Sequence, residues 1–144
     1  MMKREALSQK ILLLGVDGLD PRFTRRMLRE GKMPYVAEYV KRGACREDLV
    51  MLGGHPTVTP PMWTTMATGA YPVTHGITDF FQPVPGRIDA MTYAMHSSSC
   101  QAEQIWNCFA EAGWKTLVWH WPSASCPPSS DSPNLHVVDG SSPG

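Results

Sequence analysis

ILLLGVDGLD (residues 11–20) is an apolar run that stops abruptly at Asp17-Gly18 and Asp20. The run does not alternate polar with apolar residues. That pattern fits a strand buried on both faces, as in a parallel sheet sandwiched between helices. Asp17 would then sit at the C-terminal end of the strand, the edge where open α/β sheets hold their ligands. Downstream, Asp20-Pro21 predicts a helix start, because Asp caps backbone donors and Pro is tolerated in the first turn. Phe23, Met27 and Leu28 give that helix an apolar face, and Gly31 stops it. Pro34 starts a second helix with Tyr35, Val36, Tyr39 and Val40 on one face, closed by Gly43. Upstream, residues 1–10 read as a polar, disordered lead-in.

The same punctuation divides the rest of the chain. A short strand is expected around residues 49–52, broken by Gly53-Gly54. TPPMWTTMATG (59–69) predicts a helix with Thr59 as N-cap, Pro60 and Pro61 in its first turn, and Gly69 at its end. Met62, Met66 and Ala67 fall near one face. Residues 70–97 are rich in turn formers and read as a long excursion, with a short strand near 90–94. Ser98 and Gln101 form a capping-box pattern ahead of a helix lined by Ile105, Phe109 and Ala112 and stopped by Gly113. KTLVWHW (115–121) and LHVV (135–138) are strand candidates on either side of a Ser- and Pro-rich loop over 122–134. Strands alternating with helices predict an α/β domain of three layers around a mostly parallel sheet. So few strands would leave a sheet edge open. The domain is therefore expected to be partial, truncated on its C-terminal side.

Composition narrows the function. The 144 residues carry 13 basic and 13 acidic side chains, so the formal net charge is zero. That balance argues against a nucleic-acid partner and against a polybasic membrane surface. No apolar stretch approaches the length of a membrane span, and the run at 11–16 is too short for a signal-peptide core. A cytoplasmic location is the expectation. Cys45, Cys100, Cys108 and Cys126 form neither a zinc knuckle nor a dense disulfide framework, and each reads as a small buried apolar residue.

Two residues stand out for chemistry. Asp17 could hold a cation through oxygen, or could simply cap the Asp17-Gly18 turn. Thr59 at a helix start would face unpaired N–H groups and the positive end of the helix dipole, an environment that suits a phosphate. It could equally be an ordinary N-cap, and Thr57 is a weaker rival for either role. His55, His75, His96, His120 and His136 show no metal-binding spacing and read as structural or exposed. Trp119 and Trp121 flank His120 and read as packing residues. Arg22, Arg25, Arg26 and Arg29 read as the solvated face of their helix.

Taken together, ILLLGVDGLD (11–20), GKMP (31–34), Thr59 ahead of Pro60, and TGAYPVTHGI (68–77) resemble the type I phosphodiesterase/nucleotide pyrophosphatase family of the alkaline phosphatase superfamily. The resemblance covers roughly residues 10–122. It implies that residues 11–144 are the N-terminal portion of an alkaline-phosphatase-like hydrolase domain. It implies metal-dependent hydrolysis of a small-molecule phosphate ester or nucleotide-like substrate. Asp17 would match a metal ligand. Thr59 would match the nucleophile that also touches the metal, and His75 a structural motif residue. The family holds two divalent ions, usually zinc, with manganese as the other candidate. Where nucleotide pyrophosphatases carry an Asn that contacts a phosphoryl oxygen, this chain has Phe80 beside Asp79. That departure points to a branch other than the nucleotide diesterases.

The remaining family ligands lie later in a longer domain, so residues 1–144 are expected to turn over little alone. The competing reading is a non-catalytic truncated copy that offers at most a binding or partner surface. An unrelated nucleotide-binding domain would need a Gly-rich phosphate loop after the first strand, and Asp17-Gly18-Leu19-Asp20 is not one. The sequence does not set the oligomeric state.

Overall fold

The structure, a computed structural model, describes residues 9–46, 57–124 and 127–138. The expected strand at 49–52, most of the lead-in at 1–10, His55 and Cys126 lie outside the described residues. The chain divides into two compact units, Met1–Leu49 and Val50–Gly144.

In the first unit, α1 spans Pro21–Arg29 and α2 spans Pro34–Arg42. Both begin on the expected proline. Asp20 Oδ1 accepts the Phe23 N–H at 2.7 Å, the N-cap bond that the sequence called for. At the other end Gly31 takes φ +69°, so Lys32 N–H reaches the Met27 carbonyl and Gly31 N–H the Leu28 carbonyl. This paired closure needs a left-handed residue, and glycine supplies it without a Cβ penalty. The four arginines of α1 are exposed, as expected.

The parallel strand expected over residues 11–16 does not form. The segment has no strand pairing, and its apolar side chains are exposed, Leu12 by 81% and Leu14 by 78%. A strand exists through its ladder to a neighbour. Among the described residues no segment pairs with this one.

The second unit starts with α3, Thr59–Thr68, and the one-turn α4, Pro72–His75. β1 (Phe81–Pro83) and β2 (Met91–Tyr93) then form an antiparallel hairpin, with Phe81 opposite Tyr93. The excursion therefore holds two strands, where the sequence reading placed one. A single 3₁₀ turn, Ser97–Ser99, precedes α5, Ile105–Glu111. The capping box expected at Ser98 and Gln101 is not used: Gln104 occupies the N-cap position of α5. The buried face also differs, with Trp106, Asn107 and Ala110 inside and Ile105 exposed. The helix starts later than expected and turns the larger indole inward.

β3 (Thr116–Trp119) pairs in parallel with β4 (Leu135–Val138), placing Val118 beside Val137. These are the two C-terminal strands that the sequence predicted. One face of the pair packs inward through Val118, Leu135 and Val137, while Leu117 and Trp119 on the other face are exposed. The core gathers Trp63, Ala67, Trp106, Val118, Trp121 and Ala124. Trp121 meets Trp63 edge-on at 4.8 Å and Trp106 at 5.9 Å between ring centroids. Edge-to-face pairs of this kind add to the burial of the rings themselves.

The described residues thus form a mixed α/β structure with two small sheets, one parallel pair and one antiparallel pair. This is consistent with a partial alkaline-phosphatase-like domain, but a mostly parallel sheet is not seen.

Candidate functional site

The N-terminal turn of α3 carries Thr59. Thr59 is the first helical residue rather than the N-cap, and the cap position falls to Val58, whose carbonyl accepts the Met62 N–H at 3.3 Å. Val58 has extended backbone and no side-chain cap bond. Two of the first four helical positions are prolines, which have no N–H, and Met62 already donates to Val58. The end of α3 is therefore poorer in free backbone donors than a generic helix start. Its attraction for an anion comes mainly from the dipole.

Side-chain bonds within α3 and from elsewhere hold this helix in place. Thr64 Oγ1 donates back to the Pro60 carbonyl at 2.8 Å and lies 3.2 Å from Ser123 Oγ. Trp121 Nε1 donates to the Trp63 carbonyl at 3.4 Å. Pro60 and Pro61 are fully buried, while Thr59 is half-buried at the mouth of the turn.

His75 supplies a third tie. It is fully buried, its Nδ1 accepts the Ile77 N–H at 3.1 Å, and its Nε2 lies 3.1 Å from Thr65 Oγ1. An Nδ1 that accepts leaves the hydrogen on Nε2. Burial pushes the imidazole below its ordinary range, and a bond to the Pro61 carbonyl partly opposes that shift. With both nitrogens engaged, His75 is a structural residue of the corner. The next residue, Gly76, has φ +80°, and a Cβ there would lie 2.9 Å from Gln101 Nε2. Gln101 in turn donates its N–H to the His75 carbonyl at 2.9 Å.

Asp17 lies in the first unit, in an exposed turn with Gly18 at φ +64°. Thr59 and His75 lie in the second.

The model of the type I phosphodiesterase / nucleotide pyrophosphatase family matches residues 11–142. The chain belongs to this family. No curated protein and no solved structure matched the chain. The family is one of phosphoric ester hydrolases, generally metal-dependent, that act on small-molecule phosphate esters or nucleotides.

In this phosphodiesterase-family chain, no group of three or more His, Cys, Asp or Glu side chains among the described residues could hold an ion. Zinc sites need about four donors. The described residues therefore do not fit a metal centre by themselves. At the departure from the nucleotide pyrophosphatase pattern, Asp79 Oδ1 accepts the Phe80 N–H at 2.7 Å, so the carboxylate is turned onto its own backbone. No helix among the described residues is long and apolar enough to cross a membrane.

Several polar residues have structural roles that no sequence pattern announced. Gln104 is 1% exposed, donates to the Ser123 carbonyl at 2.8 Å and accepts from Ser129 Oγ at 2.5 Å. Ser129 Oγ also lies 2.9 Å from Asn107 Oδ1. The aromatic pair around His120 splits, with Trp121 in the core and Trp119 exposed. Cys45 and Cys108 are exposed and Cys100 is half-buried, against the expectation of buried thiols. In each case the fold, not the residue type, set the burial.

Proposed function

We propose that this chain carries the nucleophile of a metal-dependent phosphoric ester hydrolase. Thr59 Oγ attacks phosphorus and the leaving-group oxygen departs, giving a phosphothreonine ester. Water then attacks phosphorus, the bond to Thr59 Oγ breaks, and the hydroxyl is restored. Asp17 and Thr59 are each proposed as metal-binding oxygen donors, as the family resemblance implies. The remaining donors would come from outside the described residues, with zinc the first choice and manganese the second. When bound, such ions would lower the cost of the alkoxide and of charge on the transferring group. The observation that carries the proposal is the setting of Thr59, the first residue of a ten-residue helix that side-chain contacts from Ser123, Trp121 and His75 hold in place. A fixed nucleophile is what in-line attack requires.

The Asp79–Phe80 pair in place of an Asn favours phosphate esters other than nucleotide diesters. The shortage of donors among the described residues supports a second reading, a non-catalytic copy that retains only a partner surface.

The test is metal content and bis-p-nitrophenyl phosphate hydrolysis by the purified 144-residue chain, with Thr59→Ala as control. The expected result is no stoichiometric metal and no Thr59-dependent rate from residues 1–144. In a longer protein containing this chain, Thr59→Ala is expected to cost roughly 10⁴-fold or more in kcat. Metal-loaded turnover that survives Thr59→Ala would remove Thr59 from the mechanism. Stoichiometric zinc with Thr59-dependent turnover in the short chain would show that its own histidines complete the site.

A further inference from the structure

The corner at residues 75–77 is tied to α3 through one ring. The His75 imidazole accepts from the Ile77 amide on its Nδ1 side. On its Nε2 side it lies 3.1 Å from the Thr65 hydroxyl in α3, and the nearby Pro61 carbonyl favours the proton on the ring. The Pro61 carbonyl lies two residues beyond Thr59, inside the turn that presents it. The ring is fully buried, as is Ile77. The corner has a further backbone tie, because the His75 carbonyl accepts the Gln101 N–H at 2.9 Å. Two bonds of opposite sense therefore run through one rigid side chain. Nδ1 must accept and Nε2 must donate, and only one tautomer does both.

We propose that His75, held as the Nε2–H tautomer, is a positioning residue that fixes the first turn of α3, and with it Thr59, against the corner at residues 75–77. The functional weight of this role rests on the reading of Thr59 as nucleophile, but the geometry does not. The groups facing the ring are a carbonyl and a hydroxyl from α3 and an amide from the corner, none of which titrates. No charged partner contributes to the state of the ring. A proton added at Nδ1 would remove the acceptor for Ile77 and place a charge in a buried site. The tie should therefore release with acid, without help from a neighbouring carboxylate.

Two substitutions separate the two sides of the ring. Gln places an amide nitrogen near the position of Nε2 and gives up the Nδ1 acceptor. Asn keeps an acceptor near Nδ1 and gives up the reach to α3. The readout is amide hydrogen exchange, resolved by residue, on the full 144-residue chain. Met62 N–H reports the first turn of α3, and Ile77 N–H reports the corner. With His75→Gln, Ile77 is expected to exchange roughly tenfold faster while Met62 stays close to wild type. With His75→Asn, the pattern reverses. Tenfold corresponds to the loss of about one hydrogen bond's net contribution.

Nitrogen-15 spectra of the wild-type ring provide the second measurement. An unprotonated Nδ1 is expected at neutral pH. On acid titration the Met62 and Ile77 amides should shift together with the ring, while the β1–β2 hairpin stays still. A protonated Nδ1 at neutral pH would overturn the proposal. So would equal acceleration of every amide in the second unit by both variants, since that marks a residue that only adds stability. None of these readouts uses turnover. If Thr59→Ala leaves the activity of a longer protein containing this chain intact while the exchange pattern holds, the nucleophile reading fails and the positioning geometry stands.

Discussion

The helices of the first unit and those of the second start and stop by the same local devices, yet they bury very different things. α1 opens on an Asp cap and a proline and closes on Gly31, and α3 opens on prolines and closes on Gly69 at φ +67°. In α1 the one buried residue is Thr24, and in α2 none is buried. In α3 six residues are buried, and two of them, Trp63 and Thr64, meet Trp121 and Ser123 from nearly sixty residues away. The difference shows that correct caps make a helix, while a core requires distant residues to arrive on the same face. Short helices in water are marginal without that packing. The first unit carries Asp17 on a locally specified scaffold, and the second carries Thr59 on one that tertiary contacts clamp.

The sharpest way to break this contrast is Trp121→Ala. It removes both edge-on ring pairs and the donor to the Trp63 carbonyl, and is expected to cost about 3–5 kcal/mol. All five tryptophans lie between residues 63 and 121. Denaturant unfolding followed by indole fluorescence therefore reports the second unit alone. A loss under about 1 kcal/mol would mean that the tryptophan cluster is not the core. Next comes Gly76→Ala, expected to cost about 2 kcal/mol, because φ +80° strains an L-residue and the new Cβ would press on Gln101. The same unfolding curve measures it, and an unchanged midpoint would show that the corner is free to relax.

The pH dependence sharpens the contrast in a different way. Folding holds the His75 imidazole below its ordinary value of about 6.5, so the unfolded chain binds the proton more readily. The stability that comes from the neutral ring is complete above pH 6.5 and is lost as pH falls below it. Unfolding midpoints of the second unit should therefore drop between pH 7.5 and pH 5, and His75→Gln should flatten the slope. A slope that His75→Gln leaves unchanged would assign it to other groups.

In the first unit the effects shrink. Asp20→Ala deletes the 2.7 Å cap bond and should cost about 1 kcal/mol of α1 helicity, read by carbonyl-labelled infrared or NMR shifts of residues 21–24. Tyr39→Ser on the exposed face of α2 should change stability by less than about 0.5 kcal/mol. A cost above about 2 kcal/mol would show that this face is covered by something in solution.

How far the sequence could be read follows the same division. Asp20-Pro21, Gly31, Pro34, Gly43, Gly69 and Gly113 each marked a real boundary, because a cap, a fixed φ or a positive φ acts within a few residues. The strands at 116–119 and 135–138 were legible from their branched and aromatic composition. The apolar run at 11–16 misled, because hydropathy describes what a segment could bury and says nothing of whether a neighbour is there to pair with it. Thr59 was singled out by its place at a helix start ahead of Pro60, and His75 by TGAYPVTHGI. The clamp around them was not, because Ser123, Gln104 and Trp121 carry no local signature for bonds made across tens of residues.

By itself the sequence determined the family and most helix limits, and it nominated the residues proposed for the chemistry, since these depend on side-chain identity and near neighbours. Only the tertiary structure decided which tryptophan faces the core, which face of α5 is buried, and which nitrogen of His75 carries its hydrogen. Each of those depends on a partner atom that the chain brings close only by folding, and neither composition nor periodicity records where that atom will be.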